Sequence, residues 1–593
     1  MLSSAAGHWA ASQELKVFGT PLERNLALGV SGTTSSLAPG YEPDKAVDGN
    51  PVSYWVASSA SKPEWLKLDL GNLSVIRRVE QSFVDHDTYS FKIEGSRDNT
   101  TWTLLMDKTA GVTGKDFVQN VSGSYRYVRL TIYSSAAGHW ASSQELKVIG
   151  IGSPLQDKWW ENSSGVMRYY PKYYNTPLNT IASQLDDLKA KGYEAIELMA
   201  PYTGPADVWA GLGATDNYNI DPSIGTMTDF LNLLSQAHAR GMKVLFFGNV
   251  GYARDLAPFF VKAQDDNRNN VYSKERMWFH FSATGGNGWY WSSRAGAYYY
   301  AFWGQNIPSY NFNTQEWRDE TRKYIKFWMD KGVDGFAVDA PAVYDGISVP
   351  INNTYITDVL RSYDTWANPE GARGVGYVTD WNYNSIQDYE LTNWGGSGYS
   401  TIIPAIDNQN PNGLENILKG NRDAITAARG ITQTPPSWEI AGVSSTKRLL
   451  EIALLTTSGT LFYLHNGQHT LLPHESVIPN WPAADQARLW SLMKAQNSYK
   501  ALAPSGLRVK LNTQDNNKFY AYKRTNRDGS IKALVILNFQ ATSQSITVNL
   551  ANTDISTSQT PVDLLTGGAG PAITSASYTV TLPGYGFTVL GVD

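Results

Sequence analysis

The sequence predicts three folded parts in succession: a β-sandwich, a parallel (β/α)8 barrel and a second, antiparallel β-sandwich. Three observations carry this. Short runs that alternate apolar and polar residues between turn-rich segments fill residues 21–151. Residues 152–502 read instead as helix-period stretches alternating with short, wholly apolar runs, the order that builds a parallel barrel. Across residues 503–593 the period-two pattern returns, broken by Asn, Asp, Gly and Ser. At 593 residues the chain is too long for a single core, which agrees with several domains.

Composition removes whole classes of function. Charged residues make up 17% and the net charge is −5 with no basic block, so neither nucleic acid nor an anionic membrane is an expected partner. There is no cysteine, which excludes disulfides, thiolate catalysis and cysteine-type zinc sites. The eight histidines show no HExxH spacing, and no run of about 18 apolar residues occurs. The 20 Trp and 34 Tyr supply flat apolar faces of the kind that stack on sugars, although cores and sheets use them too.

In chain order, the first feature is a repeat. Residues 3–19, SSAAGHWAASQELKVFG, recur at 134–150 as SSAAGHWASSQELKVIG. Residues 1–20 are therefore expected to be the last strand of an upstream copy, with any export leader lost alongside it. One whole copy follows, with alternating runs at 65–70 and 127–132. The pieces AVDGNPVSYWVAS (46–58), WLKLDLG (65–71), IEGSRDNTTWTLL (93–105), YRYVRL (125–130) and QELKVIG (144–150) resemble a discoidin-like carbohydrate-binding module of the family 32 type. That resemblance implies a structural calcium held by Asp48, Asn50, Ser53 and Glu145, a hard-oxygen set suited to the ion. It also implies glycan contacts from variable loops, here His86, His139 and Trp140; Asp48-Gly49-Asn50 can equally be a plain turn.

The barrel's strand–helix units are legible one by one. Residues 166–170 read as a strand, Ile181, Leu185 and Leu188 share a helix face closed by Lys191-Gly192, and 195–199 is the next strand. Phe230, Leu234 and Ala237 repeat the pattern, then Arg240-Gly241 and a strand at 243–247. Trp317, Thr321, Tyr324, Phe327 and Trp328 lie on one face of a helix ended by Lys331-Gly332, and the following Phe336-Ala337-Val338 suits a strand buried on both faces. Asp339 ends that run. A carboxylate at the C-terminal tip of a barrel strand is where reactive groups sit, the other reading being a cap on the next helix.

GLGATDNYNIDPSIGTMTDF (211–230), AHARGMKVLF (237–246), IPSYN (307–311), GFAVDAP (335–341) and SGTLFYLHNGQ (458–468) resemble glycoside hydrolase family 13, the alpha-amylase superfamily. The resemblance implies Asp339 as nucleophile of a retaining two-carboxylate mechanism and a general acid on the fifth strand, which the sequence places at Asp380 in YVTDWN (377–382). Glu439, near the seventh strand, is the reserve acid or transition-state stabiliser. Several family positions depart: Ala337 stands where Arg is usual, the third-strand Asn-His reads Asn249-Val250, the seventh-strand Asn-His-Asp becomes Trp438-Glu439-Ile440-Ala441, and the stacking Tyr is Leu212. Ordinary starch specificity is accordingly not implied. Substrate contacts are expected from Tyr218, Trp381 and Trp438, and from Trp289, Trp291 and Trp303 in a long insertion at about 253–310, whose aromatics could also pack the insertion itself.

Residues 503–593 resemble the β-domain that follows the barrel in this superfamily and carry no visible chemistry. The expectation is a secreted glycoside hydrolase or transglycosylase acting on an α-linked oligo- or polysaccharide, with calcium in the module and no cofactor for catalysis. The alternative is a barrel that has lost catalysis and serves as a glycan-binding or scaffold protein. Oligomeric state is not readable from the sequence.

Overall fold

The computed structural model describes residues 24–593 except 152–157, 342–355, 393–400 and further breaks of one to four residues, and it divides into a unit ending at Lys158 and a unit starting at Trp159. The first copy of the repeat, at 3–19, lies outside the described residues.

The first unit is antiparallel β. Two long runs, Glu64–Ser96 and Trp102–Ser134, pair with each other through several shifts of register, and Glu145–Ile151 pairs with the first of them. Ile132 faces Glu64 on one side and Phe91 on the other, so residues 64–69 and 90–96 flank the same central strand. The alternation seen in the sequence is the burial pattern: Leu66, Leu68, Val128, Leu130 and Ile132 join Trp55, Phe83, Phe91 and Val148 in the core, while Lys67 and Arg129 do not.

The second unit opens with eight parallel strands, β1 (Val166–Tyr169), β2 (Ala195–Met199), β3 (Lys243–Gly248), β4 (Gly335–Val338), β5 (Trp366–Pro369), β6 (Ser385–Gln387), β7 (Ile431–Thr434) and β8 (Thr460–Asn466). Sequential strands are neighbours and β8 returns to β1, so the sheet curls into a barrel. The last seam, between β5 and β6, has no ladder among the described residues. Asn384 bridges it with its side chain, accepting from the Ala367 N–H at 2.8 Å and donating to the Thr365 carbonyl at 2.8 Å.

Three of the helices outside the barrel are those the periodicity predicts. α1 (Leu178–Lys191) ends on Gly192 at φ 103°, a left-handed cap that a Cβ would strain. α2 (Met227–Ala239) starts from a reciprocal capping box between Thr226 and Asp229. α3 (Gln315–Asp330) buries Trp317, Thr321, Tyr324 and Trp328, and truncating a fully buried Trp of this kind costs about 3–5 kcal/mol. α4 (Ser445–Ser458) is buried along nearly its whole length, because the barrel packs on one side and the terminal sheet on the other. The insertion between β3 and β4 holds a helix, Pro258–Arg268, and a three-stranded sheet of Phe281–Ser282, Trp289–Ser292 and Ala297–Tyr300.

The terminal domain is an antiparallel sheet built on Leu507–Leu511, Phe519–Thr525, Lys532–Asn538 and Phe587–Gly591, faced by the pair Gln544–Asn549 and Ser577–Leu582. Its period-two pattern serves two cores. Ala521, Leu534 and Ile536 face the sandwich interior, whereas Tyr520, Tyr522, Val535 and Leu537 belong to the barrel's own core. Buried Arg524 fastens the two by donating to the carbonyls of Ser458, Ala501 and Ala503.

Candidate active site

The barrel interior is polar where most are aliphatic. Arg168 on β1 pairs with Glu197 on β2 at 2.8 Å and lies between the rings of Phe247 and Tyr463. Burial raises the Glu197 carboxyl, and Arg168 acts against that rise. Gln433 donates to Glu197 at 3.2 Å and accepts from Asn368 at 2.6 Å, and Ser385 donates to Asn368 at 2.9 Å. Five strands are thereby linked through side chains beneath the mouth, a floor that holds the strand tips in fixed relation.

Above it, Asp339 is the first residue past β4. It is 7% exposed, and its N–H donates to the Gly248 carbonyl at 2.9 Å. The fifth strand lies elsewhere than the sequence implies: β5 is Trp366–Pro369, while residues 376–379 form a helical turn. Asp380 itself lies outside the described residues, and its segment is not a strand, so the residue at the fifth tip is Glu370. The Glu370 N–H donates to the Val338 carbonyl at 2.8 Å. Val338 and Pro369 are register partners, so Asp339 and Glu370 leave adjacent strands at the same level. Side chains two apart on a strand share a face, and Asn368 points into the floor network, so Glu370 follows it toward the axis. Ala337, in register with the inward-facing Phe247, sets the same direction for Asp339.

Tyr252, buried at 2% exposure, donates its phenol to Asp339 Oδ2 at 3.2 Å. Burial first, then the charge of Asp339 and more weakly that of Glu370, push this phenol far above its usual range, so it stays a donor. Its backbone is fixed by Asn249, whose side-chain oxygen accepts from the N–H groups of Gly251 and Tyr252 and whose amide donates to the Leu212 and Tyr252 carbonyls. Across the mouth, Tyr170 and His465, each two residues beyond an inward-facing residue, stack at 5.2 Å and share a 2.5 Å hydrogen bond.

Other predicted contacts distribute unevenly. The Tyr218 phenol donates to Glu320 on α3 at 2.7 Å and its ring meets Phe327, contacts that brace the outer helix. Trp381 is half-buried against Tyr377 and packs on the barrel core. Trp289 and Trp291 lie on one face of the insertion sheet, paired with Tyr300 and Tyr298, and Trp291 is 54% exposed. Trp303 is 40% exposed beside Arg254. Glu439 and Trp438 lie outside the described residues.

In the first unit, the Ser53 hydroxyl donates to both Asp48 oxygens, at 2.9 and 2.8 Å, and Asn50 N–H donates to Asp48 at 2.8 Å. Glu145 reaches the same loop by accepting from Gly49 N–H at 3.3 Å. Its other oxygen is buried with no partner among the described residues, and burial pushes the carboxyl up to about 7. A buried orphan oxygen beside a second carboxylate fits a cation. His139 meets Asp87 at 3.3 Å, Lys62 donates to the His139 carbonyl at 2.8 Å, and Trp140, 46% exposed, follows; His86 is exposed next to Asp87.

The sequence reading missed Glu370, Tyr252 and Arg254. The signal for Glu370 was a short run, Trp366-Ala367-Asn368-Pro369, ending on an acid as the fourth strand does.

Comparison with known proteins agrees with this architecture. Residues 162–391 match the alpha-amylase catalytic domain, residues 31–146 the F5/8 type C domain and residues 510–589 the C-terminal domain of maltogenic amylase. Alpha-amylase 3 of Dictyoglomus thermophilum is 30% identical over 249 residues, 42% of this chain and 48% of that protein. The oligo-1,6-glucosidase of Heyndrickxia coagulans is 30% identical over 200 residues, 31% of this chain and 36% of that protein. The chain thus spans less than half the length of these relatives. Among solved structures, Eubacterium rectale Amy13B superposes with a TM-score of 0.58 at 16% identity, over 73% of this chain and 96% of that one. Bacillus licheniformis trehalose-6-phosphate hydrolase gives 0.58 at 16%, over 73% and 100%. Identity this low speaks for the fold alone. With the barrel, its flanking sheets and the three domain matches in agreement, the chain carries an alpha-amylase catalytic domain, the kind found in glycoside hydrolase family 13, with an F5/8 type C domain ahead of it and a maltogenic-amylase C-terminal domain behind it.

Proposed function

We propose that the barrel is a retaining glycoside hydrolase or transglycosylase for an α-linked oligo- or polysaccharide, with Asp339 as nucleophile and Glu370 as general acid and base. The observation that carries this is the pairing of the two acids one residue past register partners Val338 and Pro369, facing one mouth. Neighbouring strands lie about 4.8 Å apart. That spacing suits the roughly 5–5.5 Å carboxyl separation of a retaining site better than the roughly 6.5–9.5 Å that leaves room for an inverting water.

In this reading Asp339 attacks the anomeric carbon while Glu370 gives its proton to the departing oxygen. Glu370 then takes a proton from water or an acceptor sugar, whose oxygen displaces Asp339 from the glycosyl ester. The Tyr252 phenol orients the Asp339 carboxylate through Oδ2. Names borne by similar proteins, alpha-amylase and oligo-1,6-glucosidase, support an α-glucosidic bond as the target. Ala337 in place of Arg, and Asn249-Val250 in place of Asn-His, support a specificity other than ordinary starch. Glu439 remains the candidate third acid. The same departures favour the second reading, a glycan-binding barrel without turnover. Initial rates of the parent and of Asp339→Asn on malto- and isomalto-oligosaccharides separate the two, since an enzyme loses turnover in the variant and a binder shows none in either.

The first unit, in this proposal, is a secreted protein's glycan anchor that raises the local substrate concentration, with His139 and Trp140 at its binding loop and calcium on Asp48, Asn50, Ser53 and Glu145. Bound there, the ion would satisfy the orphan Glu145 oxygen. Calcium should raise the melting temperature of the full chain's first transition and a chelator should reverse it, with Glu145→Gln blunting both; a chelator without effect on the parent removes the ion from the proposal.

A further inference from the structure

We infer that Asp207, Arg254 and Trp303 form a second sugar subsite, for a neutral hexose unit beyond the pair joined by the bond being cleaved. The inference rests on the reading of the barrel as a glycosidase and adds where a longer substrate is held. A cavity of about 500 Å³ is walled by these three residues and the 304–307 turn, a size in the usual small-ligand range.

Arg254 is 7% exposed, and its Nη2 donates to Asp207 Oδ2 at 3.2 Å while Nη1 donates to the Asn306 carbonyl at 3.4 Å. Its Nε–H is buried without a partner among the described residues. The backbone around it is fastened on both sides, by Arg254 N–H to the Ala214 carbonyl at 3.1 Å and by Asp255 N–H to the Asn306 carbonyl at 3.0 Å. A guanidinium fixed in this way presents donors in one orientation before any ligand arrives. Asp207, whose side chain is 59% exposed, supplies an acceptor, and Trp303, 40% exposed, supplies a flat apolar face. Donor, acceptor and ring face together are what a pyranose asks for, its vicinal hydroxyls meeting the charged pair and its C–H face the indole.

Charge argues for a neutral sugar. Asp207 and Asp255, the latter at 3.8 Å, offset the guanidinium, so no surplus positive charge is left to select a phosphate or an acidic sugar. Position argues for the same substrate as the acids. Arg254 follows Tyr252, the residue that holds Asp339, by two residues, about 7 Å of extended chain. The bridges Ala214↔Ala253 and Tyr252↔Ser309 hold that segment, so Arg254 is fixed a short step along the chain from the residue that holds Asp339.

The test uses the full chain and malto- and isomalto-oligosaccharides of two and of six units. Trp303→Ala and Asp207→Asn should each lower the ratio of kcat/KM on the hexamer to that on the dimer by about tenfold, chiefly through KM of the hexamer, and Trp303→Phe should restore most of it. An unchanged ratio in both variants, or equal losses at both lengths, overturns the subsite and leaves Arg254 as a brace for the 304–307 turn. If the parent cleaves neither series, the glycosidase reading fails on its own. Calorimetric titration with the hexamer then decides the pocket: binding weakened by Trp303→Ala upholds it, and binding that is absent or unaltered overturns it.

Discussion

The tips of β4 and β5 stand side by side and are built in opposite ways. β4 has a ladder on each side, to β3 and to β5, and its apolar Phe336-Ala337-Val338 is buried throughout. Among the described residues, β5 has a ladder only toward β4. Trp366 and Glu370 turn their N–H groups to that side, at 3.4 and 2.8 Å, so Ala367 and Pro369 face β6, where the side chains of Asn384 and Ser385 stand in for the ladder. A proline fits there because the N–H it lacks would have had no strand to meet. The contrast teaches that one acid follows a strand laddered on both sides, and the other a strand laddered on one side and fastened by side chains on the other.

That contrast can be broken in four ways, taken from the largest expected effect. Asp339→Asn should cost about 10⁴-fold or more in kcat while the chain melts as the parent does, checked by initial rates and thermal scans. Glu370→Gln should cost about 10²- to 10⁴-fold on natural substrates and far less on aryl glycosides, whose leaving oxygen needs little help from a proton. Asp380→Asn measured alongside should retain near-parental rates; losses matching those of Glu370→Gln would return the acid to residue 380. Tyr252→Phe, which deletes the 3.2 Å bond to Asp339, should slow turnover about tenfold with stability unchanged. Asn384→Ala should shift urea unfolding by about 1–3 kcal/mol for the backbone groups it orphans, and lower kcat a few-fold by loosening β5. If that variant unfolds with the parent, the seam is not what holds the fifth strand.

The same contrast governs how much could be read in advance. β4 was legible because burial on both faces imposes an unbroken apolar run, so an acid at its end stands out. β5 was not, since Asn368 is polar for the sake of Ser385 and Gln433, partners far away in sequence, and Pro369 reads as a loop. The β-branched Val378-Thr379 looked more strand-like, yet it forms a helical turn, tertiary context overriding propensity. Tyr252 and Arg254 were opaque for a related reason: their roles arise from a long insertion folding back on β2 and β3, and no local pattern marks that. The two sandwiches and α1 to α3 were legible, because each obeys a period set by a single buried face.

The terminal sheet, finally, has no outside of its own where it meets the barrel. Tyr520, Tyr522, Val535 and Leu537 are core residues of the barrel as much as of the sheet, and Arg524 reaches across to the carbonyls of Ser458 and Ala503. A version of this protein cut short before residue 507 would therefore not be a leaner catalyst. It would be a barrel with a wall missing, its helix α4 stripped of cover and its greasy flank open to other copies, and it would be recovered as aggregate.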